Sequence, residues 1–394
     1  MSGNYFDLKT PAPNGLKRGY ATGSCATAAA KAALRFLLSN DQDLGVEIDL
    51  PSGQRLSLTT NFIRRTENGA MAQITKDSGD DPDVTDKCLV EVEVRKNATG
   101  DIRFIAGSGV GTVTENGLQI PKGQAAINPV PRKMIEHNLR ALLQKPDCPS
   151  SWKNAGVDVI VSIPGGDKLA LKTFNPRVGV QGGLSILGTT GIVEPMSLSA
   201  WKASIEIYID VAIATQSDFI VFSPGRWGQN FFHKQKGVPL NRICMISNFV
   251  GFALDYLKQQ LQDKPHTLKN LVLAGHPGKL AKVIDGHWDT HSKESPIATS
   301  TILGIASLPE KLTDELRHAK TVEELIQISK AEKTSDLLFN QVANAIAQTV
   351  HSYINGILDV NVYLGDFKGD LIGTCESESF KNAIGNAEGT IDDK

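Results

Sequence analysis

The sequence predicts a chain of mixed α and β structure in two domains: an α+β domain over residues 1–200, then an α/β domain with a mainly parallel sheet over residues 201–394. Two observations support this prediction. A length of 394 residues exceeds what one ordinary hydrophobic core accommodates. The first half also combines helix-like segments with hairpin patterns, whereas single apolar strands alternate with helices in the second half.

Two similar segments in the first half indicate an internal duplication. Residues 46–60 alternate apolar and polar side chains on both sides of a Pro-Ser-Gly turn, a pattern typical of a β-hairpin. Residues 159–173 show the same pattern around Pro-Gly-Gly. Because helix-like segments at 24–38 and 131–143 precede them, we expect a duplicated helix-plus-hairpin unit.

The second half is typical of βαβ units around a parallel sheet. Its predicted elements are helices at 198–214, 247–261 and 334–353 and strands at 218–222, 271–274 and 360–364. A capping box is predicted at Thr321 and Glu324. Ligands bind beyond the carboxyl ends of such strands, and two of these ends are glycine-rich and basic. The acidic tail after Gly373 is expected to be poorly ordered towards its end.

Composition indicates a water-soluble protein of the cytoplasm. Hydrophobic residues make up 41% and charged residues 21%, and a net charge of −2 gives no general attraction to nucleic acid or anionic membranes. The five cysteines contain no CxxC pair, which favours reduced thiols. The net charge therefore favours no nucleic-acid partner. Neither a signal peptide nor an apolar run of about 20 residues is found, so no membrane partner is expected.

Two glycine-rich segments are candidate ligand loops. Residues 182–193 contain four glycines and three hydroxyl side chains, so this loop is expected to present backbone N–H groups to a ligand; a tight crossover between strands is the alternative. Residues 18–31 form a loop that opens an alanine-rich helix, with Thr22 and Ser24 at capping positions. The helix start would favour an anion, unless it is simply a capped helix packed on a sheet.

An acidic segment at residues 76–85 carries four aspartates within seven positions. It is either a solvated turn or a cluster that faces a cationic ligand or transfers a proton, and mutual repulsion is expected to raise at least one pKa. A calcium loop is disfavoured because Cys88 stands where a glutamate is required. His287 and His291 have the spacing of zinc ligands, but the glutamate of HExxH is missing, so no protein-bound metal is expected.

Five segments in fixed order resemble the cobalt-precorrin-5B C1-methyltransferase family of anaerobic cobalamin biosynthesis. They are residues 18–25 (RGYATGSC), 76–85 (KDSGDDPDVT), 126–135 (AINPVPRKMI), 182–197, and 275–280 (GHPGKL) with 290–292 (THS). The resemblance implies S-adenosylmethionine as methyl donor and a cobalt-bearing, ring-contracted tetrapyrrole as acceptor. The chain departs from the family pattern at Arg226-Trp227 and at residues 293–296.

These observations give a set of candidate site residues. Asp80, Asp81 and Asp83 are the predicted catalytic carboxylates, which would stabilise the sulfonium or accept a proton. The predicted substrate-binding or cofactor-binding residues are Arg18, Thr22, Ser24, Lys76, Arg132, Arg177, Gly182, Gly183, Gly188, Thr189, Thr190, Gly191, His276, Lys279, Thr290 and His291. Basic groups among them suit a ring edged with carboxylates.

Two other classes of function stay open at this point. A metal-dependent hydrolase would use His276, His287 and His291, and a non-catalytic tetrapyrrole-binding protein would use the same glycine loops. A small corrinoid is the expected partner, and a homo-oligomer is left open.

Overall fold

A computed structural model describes residues 4–153, 155–307 and 314–388 of the chain. The chain forms two compact units, Met1–Leu198 and Ser199–Lys394, named here the N-terminal unit and the C-terminal unit. Both combine helices with β-sheets, and each has its own buried apolar cluster. Within the described ranges, no helix has the length and apolarity needed to span a lipid bilayer.

The N-terminal unit is built on a five-stranded sheet with the order β4-β5-β6-β9-β7, in which only the β7–β9 pair is parallel. A separate hairpin of β2 and β3 confirms the first predicted hairpin. The strands are β1 (Gly19–Tyr20), β2 (Gly45–Asp49), β3 (Arg55–Thr59), β4 (Phe62–Arg65), β5 (Gly69–Thr75), β6 (Leu89–Asn97), β7 (Ile102–Ala106), β8 (Thr112–Val113), β9 (Gly156–Ser162), β10 (Val180–Gln181) and β11 (Ile192–Val193). The α-helices are α1 (Thr22–Ser39), α2 (Pro129–Leu143) and α3 (Gly166–Ala170).

Helix α1 lies on β5 and β6 and against α2. Its alanines at 26, 28, 29, 30, 32 and 33 are fully buried. Alanine has the highest helix propensity, and its small side chain lets the helix backbone approach the sheet closely. The alanine-rich run therefore explains both why this segment is helical and why it occupies the centre of the core.

The second predicted hairpin is wrong. Strand β9 lies between β6 and β7 in the middle of the sheet, and after the Pro-Gly-Gly turn the chain forms α3 instead of a return strand. In this helical conformation Leu171 is 77% exposed, although strict alternation would have buried it. The alternation of residues 169–173 was therefore a coincidence of composition, and a duplicated helix-plus-hairpin unit is not found.

Two glycine segments cross at backbone contact distance in this unit. The N–H of Leu184 donates to the carbonyl of Gly109, and a Cβ at Gly183 would overlap the carbonyl carbon and oxygen of Gly109. The neighbouring Gly182 has φ +81° but open space around its Cα. The glycine at 183 is thus required by a close backbone approach, and the one at 182 only by its conformation.

We expect Gly183→Ala to lower the free energy of unfolding by about 3 kcal/mol, because the added methyl group meets backbone that cannot move aside. The matched change Gly182→Ala should cost only about 1 kcal/mol of left-handed strain. Urea unfolding of both variants checks the difference. Equal losses at the two positions would contradict the close approach.

The C-terminal unit has a five-stranded sheet with the order β13-β12-β14-β15-β16, in which β16 alone is antiparallel to its neighbour. This agrees with the predicted mainly parallel sheet. The strands are β12 (Phe219–Ser223), β13 (Ile243–Met245), β14 (Asn270–Gly275), β15 (Asp359–Gly365) and β16 (Leu371–Cys375). The helices are α4 (Leu198–Ala214), α5 (Arg226–Asn230), α6 (Val250–Asp263), α7 (Pro277–Leu280), α8 (Thr299–Ile305), α9 (Val322–Ala331), α10 (Ser335–Tyr353) and α11 (Glu378–Glu388).

The capping box is confirmed, because the Thr321 side chain accepts a hydrogen bond from the N–H of Glu324 at the start of α9. The tail after Gly373 is folded as far as residue 388, and the end of the tail, where poor order was expected, lies outside the described residues. Strand β16 and helix α11 form there, and Phe380 is buried edge-to-face against Phe219 with ring centroids 5.4 Å apart. Helix α11 has an apolar face of Phe380, Ala383 and Ile384, which are spaced three and four residues apart and were not recognised among the many acidic residues of the tail. Asp392 and Asp393 lie outside the described residues.

Candidate functional site

Four of the five family segments meet in the N-terminal unit. Pairing of β1 with β11 joins the first segment to the fourth. The N–H of Tyr20 donates to the carbonyl of Asp77 at 2.9 Å, which adds the acidic segment. The N–H of Asn128 donates to the carbonyl of Ile186, also at 2.9 Å, which adds the third segment. Residues far apart in sequence are thereby brought to one cluster of loops.

Thr22 and Ser24 do not cap helix α1, contrary to the sequence prediction. The N-cap residue is Ala21, which makes no side-chain hydrogen bond. Thr22 Oγ1 instead donates to the carbonyl of Leu187 and accepts from its N–H, while Ser24 Oγ donates to the carbonyl of Gly191 at 2.6 Å. Both hydroxyls therefore hold the glycine loop against the helix start, where an anion had been expected.

Some residues of the glycine loop are closely packed, and others are exposed at the surface. Gly188 (φ +129°) approaches Ala21, and a Cβ on Gly191 (φ +83°) would lie 2.7 Å from Ser24 Oγ. Close packing at Gly188 and Gly191, as at Gly183, leaves no room for a side chain, so a ligand is not needed to explain why these residues are glycine. Gly182, Thr189 and Thr190 are exposed, and Thr190 Oγ1 bonds the backbone of Ile192. The exposed members are the ones that a ligand could contact.

Lys76 forms a buried ion pair instead of facing solvent. Its side chain is 1% exposed, and Nζ lies 2.8 Å from Asp83 Oδ2 and also bonds Ser78 Oγ. Burial would raise the pKa of Asp83, but the Lys76 ammonium and hydrogen bonds from Thr85 outweigh it and hold that pKa below its usual value. The pKa of Asp77 is lowered to about 2 by Lys87, Lys17 and the Gly79 N–H against an opposing effect of burial. Neither Asp77 nor Asp83 therefore has the raised pKa that repulsion was expected to give at least one member of the cluster.

Asp80 and Asp81 each use one oxygen to hold a neighbouring loop. Asp80 Oδ2 accepts from the N–H of Lys17 at 2.6 Å, and Asp81 Oδ1 accepts from the N–H of Met196 at 2.8 Å. Asp80 is exposed and Asp81 is half-buried. Each carboxylate therefore has a second oxygen for which no hydrogen bond is found within the described residues.

The predicted arginines of this unit differ in how far they are engaged. Arg18 forms an ion pair with Glu194, with 2.8 Å between Nε and Oε1. Arg132 donates to the carbonyls of Ile127 and Ala125, so its guanidinium holds the segment that precedes α2. Arg177 is half-buried in the short 3-10 segment Asn175–Val178. The structure brings Arg18, Lys76 and the aspartates of the acidic segment together among the loops of this unit. The guanidinium of Arg132, in contrast, is hydrogen-bonded to nearby backbone carbonyls.

A cavity of about 750 Å³ opens in the C-terminal unit, beyond the carboxyl ends of the parallel strands. Its position agrees with the prediction for this sheet type. The lining residues are Pro224, Gly225, Arg226, Trp227, Ser247, Asn248, Gly275, His276, Gly278, Lys279, Lys282, Thr290, His291, Ser292, Ile297, Thr321, Val322, Glu323, Asp366 and Phe367. The fifth family segment and the departure at Arg226-Trp227 both lie in this lining.

His276 is fixed in one tautomer. Its Nδ1 accepts from the N–H of Gly278 at 3.0 Å, so Nε2 carries the hydrogen and donates to Glu323 Oε2 at 3.1 Å. The ring also stacks on Phe367 with centroids 4.2 Å apart. Burial lowers the pKa of His276 although Glu323 opposes the shift, and protonating Nδ1 would break the bond to Gly278.

This lowered pKa predicts a pH dependence of stability. The unfolded chain binds the proton more readily than the folded one, so the contribution of His276 is complete above the unfolded pKa of about 6.5 and is lost as pH falls towards the folded value. We expect the free energy of unfolding to fall between about pH 7 and pH 5, less steeply in His276→Asn than in the wild type. His318→Asn, a change at an exposed histidine, is the control; identical slopes in wild type and His276→Asn would contradict the prediction.

Lys279, Thr290 and His291 also line the cavity. Lys279 Nζ makes one long contact, 3.4 Å to the carbonyl of Pro224. Thr290 is 2% exposed, and no partner for its Oγ1 is found within the described residues. His291 is exposed, and its Nδ1 accepts from the N–H of Lys293. All four residues predicted from this half are thus brought to one place.

The histidines do not form a metal centre with acidic or thiol groups. Across the described parts of the chain, no three His, Cys, Asp or Glu side chains are close enough to hold an ion. His276 is occupied by Gly278 and Glu323, and His287 is absent from the cavity lining. Of the three histidines that a metal-dependent hydrolase would use, only His276 and His291 line the cavity.

The sequence did not single out several cavity residues. Asp366 and Phe367 follow the carboxyl end of β15. The rule that ligands bind beyond the carboxyl ends of parallel strands could therefore have found them. Lys282 and Glu323 come from a 3-10 segment and a helix whose packing brings them to the cavity. No local pattern distinguishes them from surface charges.

Comparisons with known proteins agree with the motifs. The CbiD family model matches residues 9–195, and the model of the CbiD C-terminal domain matches residues 289–376. A protein of Ralstonia nicotianae named cobalt-precorrin-5B C(1)-methyltransferase is 40% identical over 95% of this chain and 97% of its own length. One of the same name from Alkaliphilus metalliredigens is 36% identical over 96% of this chain and 97% of its own.

A crystal structure of a cobalamin biosynthesis protein from Archaeoglobus fulgidus aligns with 76% of this chain and 88% of its own, at 26% identity and a TM-score of 0.38. The curated relatives match this chain along almost their whole length, so the similarity is not confined to one unit. The chain belongs to the CbiD family, together with the cobalt-precorrin-5B C(1)-methyltransferases that it matches over about 95% of its length.

Proposed function

We propose that the protein methylates C1 of cobalt-precorrin-5B to give cobalt-precorrin-6A in anaerobic cobalamin biosynthesis, with S-adenosylmethionine as methyl donor. The observation that carries the proposal is the family membership, with 40% identity to a methyltransferase over 95% of the chain. The cationic cavity and the acidic loop segment are consistent with a carboxylate-edged acceptor and a sulfonium donor.

The reaction places few demands on the protein beyond orientation and charge. A bond between sulfur and the methyl carbon breaks, its electron pair stays on sulfur, and a carbon–carbon bond forms at the ring. The macrocycle gains positive charge until it releases a proton to a base. Holding the reacting carbon in near-attack geometry supplies much of the acceleration, and no protein-bound metal is required in this scheme.

The acidic segment is the proposed source of that base. Asp80 and Asp81 each keep an oxygen that makes no protein hydrogen bond within the described chain, which suits proton transfer. Asp83 is held ionised by Lys76, so we assign it an electrostatic role. Gly182, Thr189, Thr190 and Arg177 are proposed ligand contacts because of their positions in and beside the glycine loop.

Incubation with cobalt-precorrin-5B and S-adenosylmethionine, followed by mass analysis, tests the proposal. We expect a corrinoid heavier by one methyl group, together with S-adenosylhomocysteine, and no loss of activity after EDTA treatment. A protein that only binds tetrapyrroles would form no S-adenosylhomocysteine. Activity that is lost on chelation and restored by zinc would contradict the metal-free scheme.

A further inference from the structure

The cavity of the C-terminal unit contains ammonium groups without carboxylate partners. Lys279 is half-buried, yet among the described residues no carboxylate lies within ion-pair distance of its Nζ. Lys282 is buried, and its Nζ bonds only uncharged oxygens of Thr290 and Ser295. A buried cation is costly unless it is paired. The two lysines also repel each other. Burial, and to a smaller extent this repulsion, lowers the pKa of Lys279.

The acidic groups of the lining do not compensate for these lysines. Asp366 is already paired with Lys330, with 2.6 Å between Oδ2 and Nζ. Glu323 accepts from His276 and from Gln327, so both of its oxygens are engaged. Asp289, outside the lining, favours the charged form of Lys282 from beyond ion-pair distance. Arg226 adds a further exposed cation to the lining. The cavity therefore has cations available for an anion.

Two aromatic side chains, Trp227 and Phe367, line the cavity. Phe367 is 75% exposed although His276 stacks on one of its faces. Trp227 is stacked on Phe231 with centroids 5.1 Å apart, and its indole N–H donates to the carbonyl of Gly369. Aromatic surface of this kind suits a flat, apolar ring system. Cations in the cavity and aromatic rings in its lining complement a macrocycle that carries acidic side chains.

We propose that this cavity binds the carboxylate-bearing edge of the corrinoid, with Lys279 as the principal carboxylate ligand, and that it is not the site of the methyl donor. The inference rests on the proposed function. S-Adenosylmethionine carries a sulfonium and an ammonium against a single carboxylate, so it is a net cation and is disfavoured beside unpaired lysines. The hydroxyl of Thr290, for which no partner is found in the described chain, offers a further hydrogen bond to the same edge.

Equilibrium dialysis with two corrinoids tests the chemical class of the ligand. Cobyrinic acid carries free carboxylates, whereas cobinamide carries amides on the same ring. We expect wild-type protein to bind cobyrinic acid at least about tenfold more tightly than cobinamide, since charge-assisted hydrogen bonds are the stronger ones. Equal affinity for the two probes would overturn the proposal.

Variants at Lys279 test whether the binding of cobyrinic acid depends on this cavity. Lys279→Gln should weaken cobyrinic acid binding about tenfold, Lys279→Arg should restore it, and S-adenosylmethionine binding should not change. Lys381→Gln removes an exposed lysine outside the cavity lining and is the matched control. Loss of donor binding in Lys279→Gln, with cobyrinic acid binding intact, would overturn the proposal and assign the cavity to the donor. A wild type that binds cobyrinic acid through Lys279 but methylates no cobalt-precorrin-5B would refute the proposed function alone.

Discussion

Replacing Lys76 with methionine should lower the free energy of unfolding by about 3–5 kcal/mol. Methionine nearly matches the length of the lysine stem, so the change removes the charge with little loss of packing. Asp83 then keeps its charge in a half-buried position without its partner, and Ser78 loses its bond to the ammonium. Chemical unfolding of the two proteins at neutral pH measures the loss.

Two further variants separate the buried pair from a general charge effect. Lys87→Met removes a lysine that is 63% exposed and pairs with Asp77, so it should cost less than about 1 kcal/mol. Adding Asp83→Asn to Lys76→Met should recover part of the loss, because the unpaired carboxylate is gone. If Lys76→Met and Lys87→Met destabilise equally, the ion pair at Lys76 is not a significant source of stability.

The same pair gives a pH dependence with a defined sign. The folded pKa of Asp83 lies below its unfolded value, so its contribution is present above about pH 4 and is lost as pH falls through the folded value. Wild-type protein should therefore lose stability in acid more steeply than the Lys76→Met variant does. A steeper acid slope in the variant would contradict the ion pair as its cause.

Segments with a clear period were predicted well. Helix α4 begins and ends at the predicted residues, and the three strands predicted in the C-terminal unit, β12, β14 and β15, differ from prediction by one residue at each end. The short strand β13 and the antiparallel strand β16 were not predicted. Apolar periodicity and the capping box are local properties of the sequence, so they can be read without the fold. The false hairpin after β9 shows the limit, because the alternation of residues 169–173 matched a strand, whereas the chain there forms the end of α3 and a turn.

The roles of polar loop residues could not be predicted in the same way. A hydroxyl before a helix favours a cap, but Thr22 and Ser24 bond the glycine loop about 165 residues away along the chain. Lys76 was expected to bind a ligand, and no local signal shows that a lysine in an acidic segment is buried. The position of the cavity was predicted better than the roles of these side chains, because the carboxyl ends of all parallel strands lie at one edge of the sheet.

Replacing Asp81 with asparagine should lower kcat for methyl transfer by about 100-fold, the lower end of what a general base contributes. Asparagine keeps an oxygen that can accept from the N–H of Met196, so the loop contact survives while the basic group is lost. Thermal unfolding should therefore hardly change. Single-turnover kinetics with cobalt-precorrin-5B and S-adenosylmethionine separate this loss from any change in binding.

Asp86→Asn is the matched control, because Asp86 also accepts a backbone hydrogen bond, from Ser78, but was not predicted to be catalytic. It should keep the wild-type kcat. Asp80→Asn preserves the contact to Lys17 in the same way, and its loss should be smaller because an exposed carboxylate lies in water and gains less from its surroundings. If Asp80→Asn, Asp81→Asn and Asp83→Asn all turn over like the wild type from pH 6 to about 9, the range in which tuned bases operate, then the carboxylates of this segment act only by holding the loops together.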